Sequence, residues 1–526
     1  MKLSTKLGAM ASAAVLAATL APAAAMATPT TSVNGATVTD VNDTTVTISG
    51  LASGDTVTAY LIGDAYIDAS NQVQYNLVSG LPTDYDAVDE LSAVTSDGYA
   101  FTVNSDAQKA ATAIAASTAV TGAADTAKTS VTATGTSAQL SLGSGYYLVR
   151  VTNATTTNDR VYQNMLVNLE PVQAVNGTYS SATDPKITAK QTPVTIDKKS
   201  KQKSETEQKS ETDYTETEVN TFNVGDKVPF QITTAIPSYN NNSTYATFSI
   251  TDDPDTGLKI DSGTVEVTVA GADTVTKDTD YTVTNNGGDG DPLTIAFNQK
   301  FVLAHPGAAV TVTYKAELTS NAKVTKSGTV VDYTNNTAKV TYTPDTNHET
   351  TTDTEEKHVD VKTYGIYFQK VDKDGNALVG AEFTIYDASG NIVTAAENTS
   401  NGVAASDANG YVWFDGLASG TYTLKETKVP AGKQAVANFT VTVGDNATLG
   451  DNPATGTTEN PIVEANFVAY DGNANDNFAN AVVDPDRGIL PTTGDAGTVA
   501  LTVCGVGLLA VGFAVMTRNR KQDEQA

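Results

Sequence analysis

Gly420-Thr421-Tyr422-Thr423-Leu424-Lys425-Glu426-Thr427-Lys428 alternates strictly between two kinds of side chain. Residues two apart on a strand share a face. Tyr422, Leu424 and Glu426 therefore point one way, and Thr421, Thr423 and Lys425 the other. Ala418-Ser419-Gly420 before the run and Val429-Pro430-Ala431-Gly432 after it are turn signals that bound the strand. Working outward, similar short runs lie at Ile366–Lys370, Glu382–Tyr386, Val412–Phe414 and Ala437–Val443. Many short strands between regular turns predict β-sandwiches, so the expected fold class is all-β.

The rest of the chain repeats this texture. Its 526 residues suggest about three domains. Charged residues make up 17% and hydrophobic residues 40%, enough apolar material for several small cores. The net charge of −28 repels nucleic-acid backbones and anionic membrane surfaces, which argues against nucleic acid as a partner. One Cys excludes an intramolecular disulfide, and three His leave little room for His-based catalysis or a zinc site. No cofactor is expected. The first domain spans 28–185, with runs such as Thr45-Val46-Thr47-Ile48 and Tyr146-Tyr147-Leu148-Val149-Arg150-Val151. Its Ala-rich stretch from Ala107 to Ala127 reads as a short helix or a surface excursion. The second spans 186–360, with a solvated segment from Lys199 to Glu218 and a linker or exposed hairpin over Thr343–Lys357. The third spans 361–489. Gly50-Leu51-Ala52-Ser53-Gly54 recurs as Gly416-Leu417-Ala418-Ser419-Gly420, which suggests a shared domain type.

Both ends read as targeting segments. Lys2 and Lys6, an apolar run from Leu7 to Leu20 and Ala25-Met26-Ala27 form a secretory signal peptide over 1–27. The C-terminal segment, 490–526, opens with Leu490-Pro491-Thr492-Thr493-Gly494. An apolar stretch from Ala500 to Met516 follows, long enough to span a bilayer as a transmembrane helix. The basic residues Arg518, Arg520 and Lys521 come last, and the one Cys, Cys504, lies in the apolar stretch. This order resembles the L-P-x-T-G cell-wall sorting signal of Gram-positive surface proteins. The resemblance implies that a sortase cuts between Thr493 and Gly494, holds the Thr493 carbonyl as a thioester and passes it to an amine. It also implies a secreted, wall-anchored protein whose precursor is held briefly in the membrane.

The strand faces carry unexpected charges. Lys370 is in phase with Ile366 and Phe368, and Glu426 with Tyr422 and Leu424. Charges on core faces are expensive unless paired, and an ordinary buried ion pair would also satisfy the pattern. The contexts Phe368-Gln369-Lys370-Val371-Asp372, Gly380-Ala381-Glu382-Phe383-Thr384-Ile385-Tyr386 and Gly420 through Gly432 resemble the collagen-binding-protein B-type (CnaB) immunoglobulin-like domain. In that family a first-strand Lys attacks an Asn or Asp on the last strand, a Glu shuttles protons, and an intramolecular isopeptide forms. The resemblance therefore implies a bond from Lys370, catalysed by Glu426. Val482-Val483-Asp484 places an Asp where the family commonly has Asn, so Asp484 is the expected partner and Asn480 the fallback.

The second domain has the same parity. Val194, Ile196 and Lys198 are in phase, as are Ala246, Phe248, Ile250 and Asp252, and Asn336, Ala338, Val340 and Tyr342. With Val224-Gly225-Asp226 through Pro229-Phe230, this looks like the middle domain of pilus shaft subunits. That likeness implies a Lys198–Asn336 bond with Asp252 as catalyst. Lys199 and Asn335 are out of phase, and Lys339 and Lys362 read as surface lysines. In the first domain Tyr147 aligns with Tyr422 but Val151 with Glu426, so no bond is expected there.

The remaining question is which amine receives Thr493. Shaft pilins use a Lys in a Tyr-Pro-Lys motif between the first two domains. Lys190 has the matching offset from the Lys198 strand but follows Ala189, whereas Lys186 follows Pro185 farther upstream. Lys190 is the expected nucleophile, with Lys186 the alternative. The chain thus resembles the major shaft subunit of sortase-assembled pili, a structural protein that supports adhesion and not an enzyme. Implied partners are a class C pilin sortase, other copies of the chain, minor pilins, peptidoglycan through a housekeeping sortase, and a host surface ligand. A monomeric wall-anchored adhesin or minor pilin is the alternative. Asp372-Lys373-Asp374-Gly375 starts like an EF-hand loop but has Phe383 where the loop needs Glu, so it reads as a hairpin turn. None of His305, His348 and His358 has a Cys or a second His at ligand spacing.

Overall fold

The structure, a computed structural model, describes residues 43–95, 102–124, 127–154, 159–182, 185–201, 219–324, 333–394, 399–444, 448–449 and 481–487. Strands dominate, as β-branched and aromatic runs between turn residues require. The chain falls into two compact units. One comprises residues 1–220, 226–322 and 334–361, and the other residues 221–225, 323–333 and 362–526. The 1–27 segment, the 490–526 segment with Cys504, and Asn480 lie outside the described residues. Among the described residues no helix is long and apolar enough to cross a membrane.

The N-terminal part of the first unit stacks two sheets. In the smaller sheet Thr44–Ser49 is flanked by Lys186–Thr188 in parallel and Ser137–Leu142 antiparallel. In the larger, Thr56–Ile67 and Gly145–Thr152 are central. Val46, Ile48, Leu140, Tyr147, Val149 and Ile187 fill the space between the sheets. The other face of the larger sheet is also covered. The Ala-rich stretch forms a helix, Asp106–Ala116, and is not an excursion: Ser105 caps its first turn, accepting from the Gln108 N–H at 3.3 Å. Its Ala110, Ala111 and Ile114 pack on Tyr146, Leu148 and Leu166. This is why Gly145 through Val149 are all buried, although alternation predicts one wet face.

The middle part of the same unit is a second sandwich. One sheet runs Ile196–Ser200, Lys227–Ala235, Ala309–Leu318, Leu258–Val269. The other includes Leu293–Phe297, Phe248–Pro254 and Thr334–Tyr342 in that order. The Thr343–Lys357 stretch folds back as a hairpin: Thr352–Asp353 pairs with Thr341 and Tyr342, and Thr354 exchanges hydrogen bonds with Val340. Polar contacts tie the two sandwiches together. Arg150 Nη2 meets Asp345 Oδ2 at 2.5 Å. The buried Asn240 donates its amide to Gln108 Oε1, Thr112 Oγ1 and Gln163 Oε1 at 3.0–3.3 Å, while its Oδ1 accepts from the Asn104 N–H.

The second unit is a third sandwich. Tyr364–Asp372 lies between Tyr411–Leu417, antiparallel, and Ala481–Asp484, parallel. The facing sheet contains Val403–Ala405, Glu382–Tyr386, Gly420–Lys428 and Phe439–Val443. Phe368, Phe383, Phe414, Leu424 and Phe439 form its core. The Asp372 stretch is one of three similar turns in this unit. The carboxylates of Asp372, Asp387 and Asp407 each accept from the N–H groups two and four residues on, and Gly375, Gly390 and Gly410 follow at positive φ. Among the described residues no group of three or more His, Cys, Asp or Glu side chains is placed to hold a metal ion.

Two sequence expectations change. Lys362 is not a surface lysine: it is 2% exposed, with its ammonium over the rings of Tyr333 at 4.9 Å and Tyr364 at 5.9 Å. Val361, Lys362 and Thr363 are buried in succession, so alternation fails there, and aromatic faces accommodate the cation. The better internal match to Gly420 is Gly145, not Gly54: φ is +156°, +155° and +93° respectively. Tyr422 Oη donates to Ala418 O and Tyr147 Oη to Gly143 O, the same four-residue reach back in both sandwiches.

Candidate functional site

In each of the last two sandwiches a lysine is buried among acids and aromatic rings: Lys198 in the middle one and Lys370 in the third. In the second unit, Lys370 and Asp484 lie on neighbouring parallel strands of one sheet, and Glu426 comes from the facing sheet. Lys370 Nζ hydrogen-bonds Asp484 Oδ1 and lies 3.6 Å from Glu426 Oε1. All three side chains are fully enclosed. Phe383 closes the site, its ring centroid 5.5 Å from Nζ. Glu426 Oε2 accepts from the Val436 N–H at 2.9 Å, which fixes the carboxyl.

The electrostatics follow from burial. Desolvation disfavours whichever form is charged. It pushes Lys370 below the ordinary lysine range, against the opposing pull of Asp484 and Glu426. It pushes Glu426 up to about 7, against the opposing Lys370 charge. Both shifts move the pair toward neutral amine and neutral acid. Glu426 Oε1 and Asp484 Oδ2 are buried without a hydrogen-bond partner. Such atoms cost free energy, and native structures tolerate few of them.

The middle sandwich builds its site from facing sheets. Lys198 and Tyr314 project from one, Asp252 and Asn336 from the other. The alternation in Ile196–Ser200, Phe248–Pro254 and Thr334–Tyr342 turns all three sequence-predicted residues inward. Lys198 Nζ donates to Asp252 Oδ1. Tyr314 Oη donates to Asp252 Oδ2 and accepts from Asn336 Nδ2 at 2.9 Å. Phe230 stacks on Tyr314 at 5.4 Å, and its ring also lies 5.4 Å from Lys198 Nζ. Burial lowers Lys198 to about 8, although Asp252 pulls the other way. Asn336 Oδ1 is buried without a hydrogen-bond partner. Sequence reasoning did not single out Tyr314. Its signal was present: it shares the core face of Val310-Thr311-Val312-Thr313-Tyr314 with Val310 and Val312.

The out-of-phase residues lie apart from this cluster. Lys199 Nζ pairs with Asp197 at 3.2 Å, Asn335 donates its N–H to Asp255, and Lys339 pairs with Asp353 at 2.8 Å near the surface. In the N-terminal sandwich the first strand buries Val46 and Ile48, and the position matching Glu426 is Val151. The acid it buries, Asp55, accepts from the Ala52 and Ala154 N–H groups and from Tyr162 Oη, all within 3.0 Å.

Lys186 and Lys190 are both exposed. Lys186 sits in the edge strand beside Thr47. Lys190 follows the buried Ala189, whose N–H donates to Ser49 O. The Lys190 carbonyl accepts from the Gln163 N–H at 2.9 Å, so the backbone is held while the side chain is presented. Leu490, Pro491, Thr492, Thr493 and Gly494 lie outside the described residues.

Residues 224–346 match a family described as Gram-positive pilin backbone subunit 2, Cna-B-like domain. Residues 365–453 match SpaA, a prealbumin-like fold domain. The first stretch contains Asp252, Tyr314 and Asn336, and the second Lys370 and Glu426. The fimbrial subunit type 2 of Actinomyces naeslundii is 27% identical over 354 residues, 58% of this chain and 59% of that protein. The trypsin-resistant surface T6 protein of Streptococcus pyogenes serotype M6 is 27% identical over 226 residues, 40% of each. The chain thus spans less than two thirds of either curated relative. Among solved structures, the T6 backbone pilin of serotype M6 Streptococcus pyogenes, with a modular three-domain structure, aligns over 86% of this chain and 100% of that one. The TM-score is 0.57 at 17% sequence identity, a likeness of fold.

Proposed function

We propose that the chain, whose residues 224–346 match the Gram-positive pilin backbone domain, is the structural subunit of a covalently polymerised surface pilus. The observation that carries this reading is the fully enclosed Lys370 between Asp484 and Glu426. A solvated stabilising ion pair does not need such a site, and a buried one gains little over apolar packing. A neutral amine beside a neutral acid is instead what amide condensation requires. In this reading Lys370 Nζ adds to the Asp484 carboxyl carbon, Glu426 shuttles protons and water leaves. Lys198 likewise joins Asn336 with Asp252 as catalyst, and ammonia leaves. Domains 28–185, 186–360 and 361–489 then follow one another between the targeting segments.

The Lys370–Asp484 bond ties the first strand of its sandwich, Tyr364–Asp372, to the last, Ala481–Asp484, and the Lys198–Asn336 bond ties Ile196–Ser200 to Thr334–Tyr342, which Thr352–Asp353 and Lys357–Lys362 follow in the same sheet. Pulling on the chain ends of such a sandwich loads the covalent clamp before the hydrogen-bonded ladders. A non-covalent sandwich would yield at a rate set by its unfolding barrier. A pilin sortase would join Thr493 of one copy to Lys190 of the next, so load would enter at the C-terminal end of the N-terminal sandwich, between Lys186–Thr188 and Gln191–Pro193, with most of that sandwich upstream of it. That sandwich can then lack a bond without weakening the shaft. Wall attachment to peptidoglycan, minor pilins and a host ligand complete the expected partners.

Co-expression with a pilin sortase tests the assembly step. The wild type should give ladders that survive boiling in detergent, Lys190→Ala should give none, and Lys186→Ala should keep them. A single band from the wild type would favour a monomeric adhesin. Loss of the ladder in Lys186→Ala alone would transfer the role to Lys186.

A further inference from the structure

We propose that Tyr314 is a catalytic residue of the middle sandwich, relaying a proton from Asp252 to the leaving nitrogen of Asn336. This rests on the reading that Lys198 and Asn336 condense. The difficulty in that reaction is the leaving group. An amide nitrogen departs only when protonated, and the buried site offers few proton donors. Asp252 engages Lys198 Nζ through Oδ1, the far side of the carboxyl from Oδ2. The group between Asp252 and Asn336 Nδ2 is the Tyr314 hydroxyl, bonded to Asp252 Oδ2 and 2.9 Å from Nδ2.

The direction of these hydrogen bonds reverses during the reaction. In the resting site the Asn336 nitrogen lone pair is delocalised into the amide, so Nδ2 donates to Tyr314 Oη, which donates to Asp252. Lys198 first gives a proton to Asp252 and becomes a neutral amine, a step that burial favours. Its Nζ then adds to Asn336 Cγ, and the C=O π bond becomes an oxyanion. The Asn336 nitrogen is now an ordinary amine with a free lone pair. The Asp252 carboxylic acid turns about Cβ–Cγ to bring the proton received from Lys198 toward Tyr314, whose Oη–H protonates the nitrogen and takes that proton as its replacement. The oxyanion collapses, the Cγ–Nδ2 bond breaks, and the released ammonia takes the surplus proton from the new C–NζH2+ group. Of the three hydrogens on the Lys198 ammonium, one stays on the isopeptide nitrogen and two go to the leaving nitrogen. It departs as ammonium, and Asp252 returns to carboxylate. No oxidant, metal or added reactant is needed.

Tyr314 is held for this task. Its ring stacks on Phe230, the same ring that lies under Lys198 Nζ, so nucleophile and relay share one aromatic floor. Tyr314→Phe would keep that stacking and remove only the hydroxyl.

Cell-free synthesis of the full mature chain, quenched at intervals and read by intact mass, tests the relay. The wild type should lose about 17 Da for this bond as ammonia leaves, and Asp252→Ala should not. Tyr314→Phe should lose it about 10²–10⁴-fold more slowly, the usual worth of a positioned proton donor. The Tyr314→Phe rate should also rise more steeply on acidification than the wild-type rate, because solvent must supply the proton. Far-UV circular dichroism of Lys198→Ala/Tyr314→Phe should match that of Lys198→Ala, which separates chemistry from loss of the fold. A Tyr314→Phe time course that overlays the wild type, or a slow one with a parallel pH profile, overturns the relay while leaving the bond in place. A wild-type chain that never loses the mass, like Asp252→Ala, overturns the condensation itself and the relay with it.

Discussion

Replacing Glu426 with Gln should separate the covalent contribution of the second unit from its packing. Gln has nearly the same shape, and its amide oxygen still accepts from the Val436 N–H, but it cannot carry a proton between Lys370 and Asp484. The Lys370–Asp484 bond should not form. The two residues are 114 apart in sequence. Closing a loop of that length in the unfolded chain removes about 5 kcal/mol of conformational entropy, treated as for any covalent cross-link. For a unit of this size each kcal/mol moves the midpoint by about 4 °C, so the transition should fall by about 20 °C. Leaving an unbonded Lys370–Asp484 pair in an apolar site pushes in the same direction. Scanning calorimetry with intact mass on the same sample provides the assay. The expected result is a variant whose mass equals that of its own sequence, about 18 Da above its bonded form, with the large midpoint loss. A mass gain with a shift below about 5 °C would refute loop closure as the source of stability. An unchanged mass would refute Glu426 as the proton shuttle.

Other outcomes follow from the same geometry. Burial raises Glu426 to about 7, so the folded, unbonded site holds its extra proton below that pH and loses it above. Formation of the Lys370–Asp484 bond should therefore slow as pH rises through about 7, read by intact mass during cell-free synthesis. Gly145→Ala would put a Cβ 2.3 Å from Gly63 O, whereas at Gly420 the nearest atom is Tyr422 Cε2 at 3.9 Å. In urea melts Gly145→Ala should lose about 1–3 kcal/mol from overpacking and Gly420→Ala less; equal losses would contradict the packing argument. Asn240→Ala strands buried partners on Gln108, Thr112 and Gln163, and should cost the first unit about 2–4 kcal/mol in the same assay. A loss under about 0.5 kcal/mol would mean that the hub carries no weight.

Strand parity made much of this molecule legible. The in-phase positions of Lys198, Asp252, Asn336, Lys370 and Glu426 are all buried, and the sandwiches bring them into two clusters with Asp484. Parity reports only which way a residue faces. It does not say which face of a second sheet lies opposite, so the meeting of Tyr314 with Asn336 was invisible until both sheets were placed. Alternation also assumes one wet face per strand. That assumption failed at Gly145–Thr152, which a helix covers, and at Val361-Lys362-Thr363, where aromatic rings take up the ammonium. In the Gly50–Gly54 repeat the first glycines agree in conformation, Gly50 at φ +78° and Gly416 at +71°, whereas Gly54 and Gly420 do not. Positive φ near +155° and a tyrosine reaching back four residues mark the Gly145 and Gly420 turns as the equivalent pair.

Intact mass of the purified mature chain, followed by peptide mapping, tests the central claim most directly. Two internal isopeptides should make the chain lighter than its sequence by about 35 Da, the sum of one ammonia and one water. Digestion should release branched peptides joining Lys198 to Asn336 and Lys370 to Asp484. A mass equal to that of the sequence, with only linear peptides spanning those four residues, would contradict the account of a covalently clamped pilus subunit.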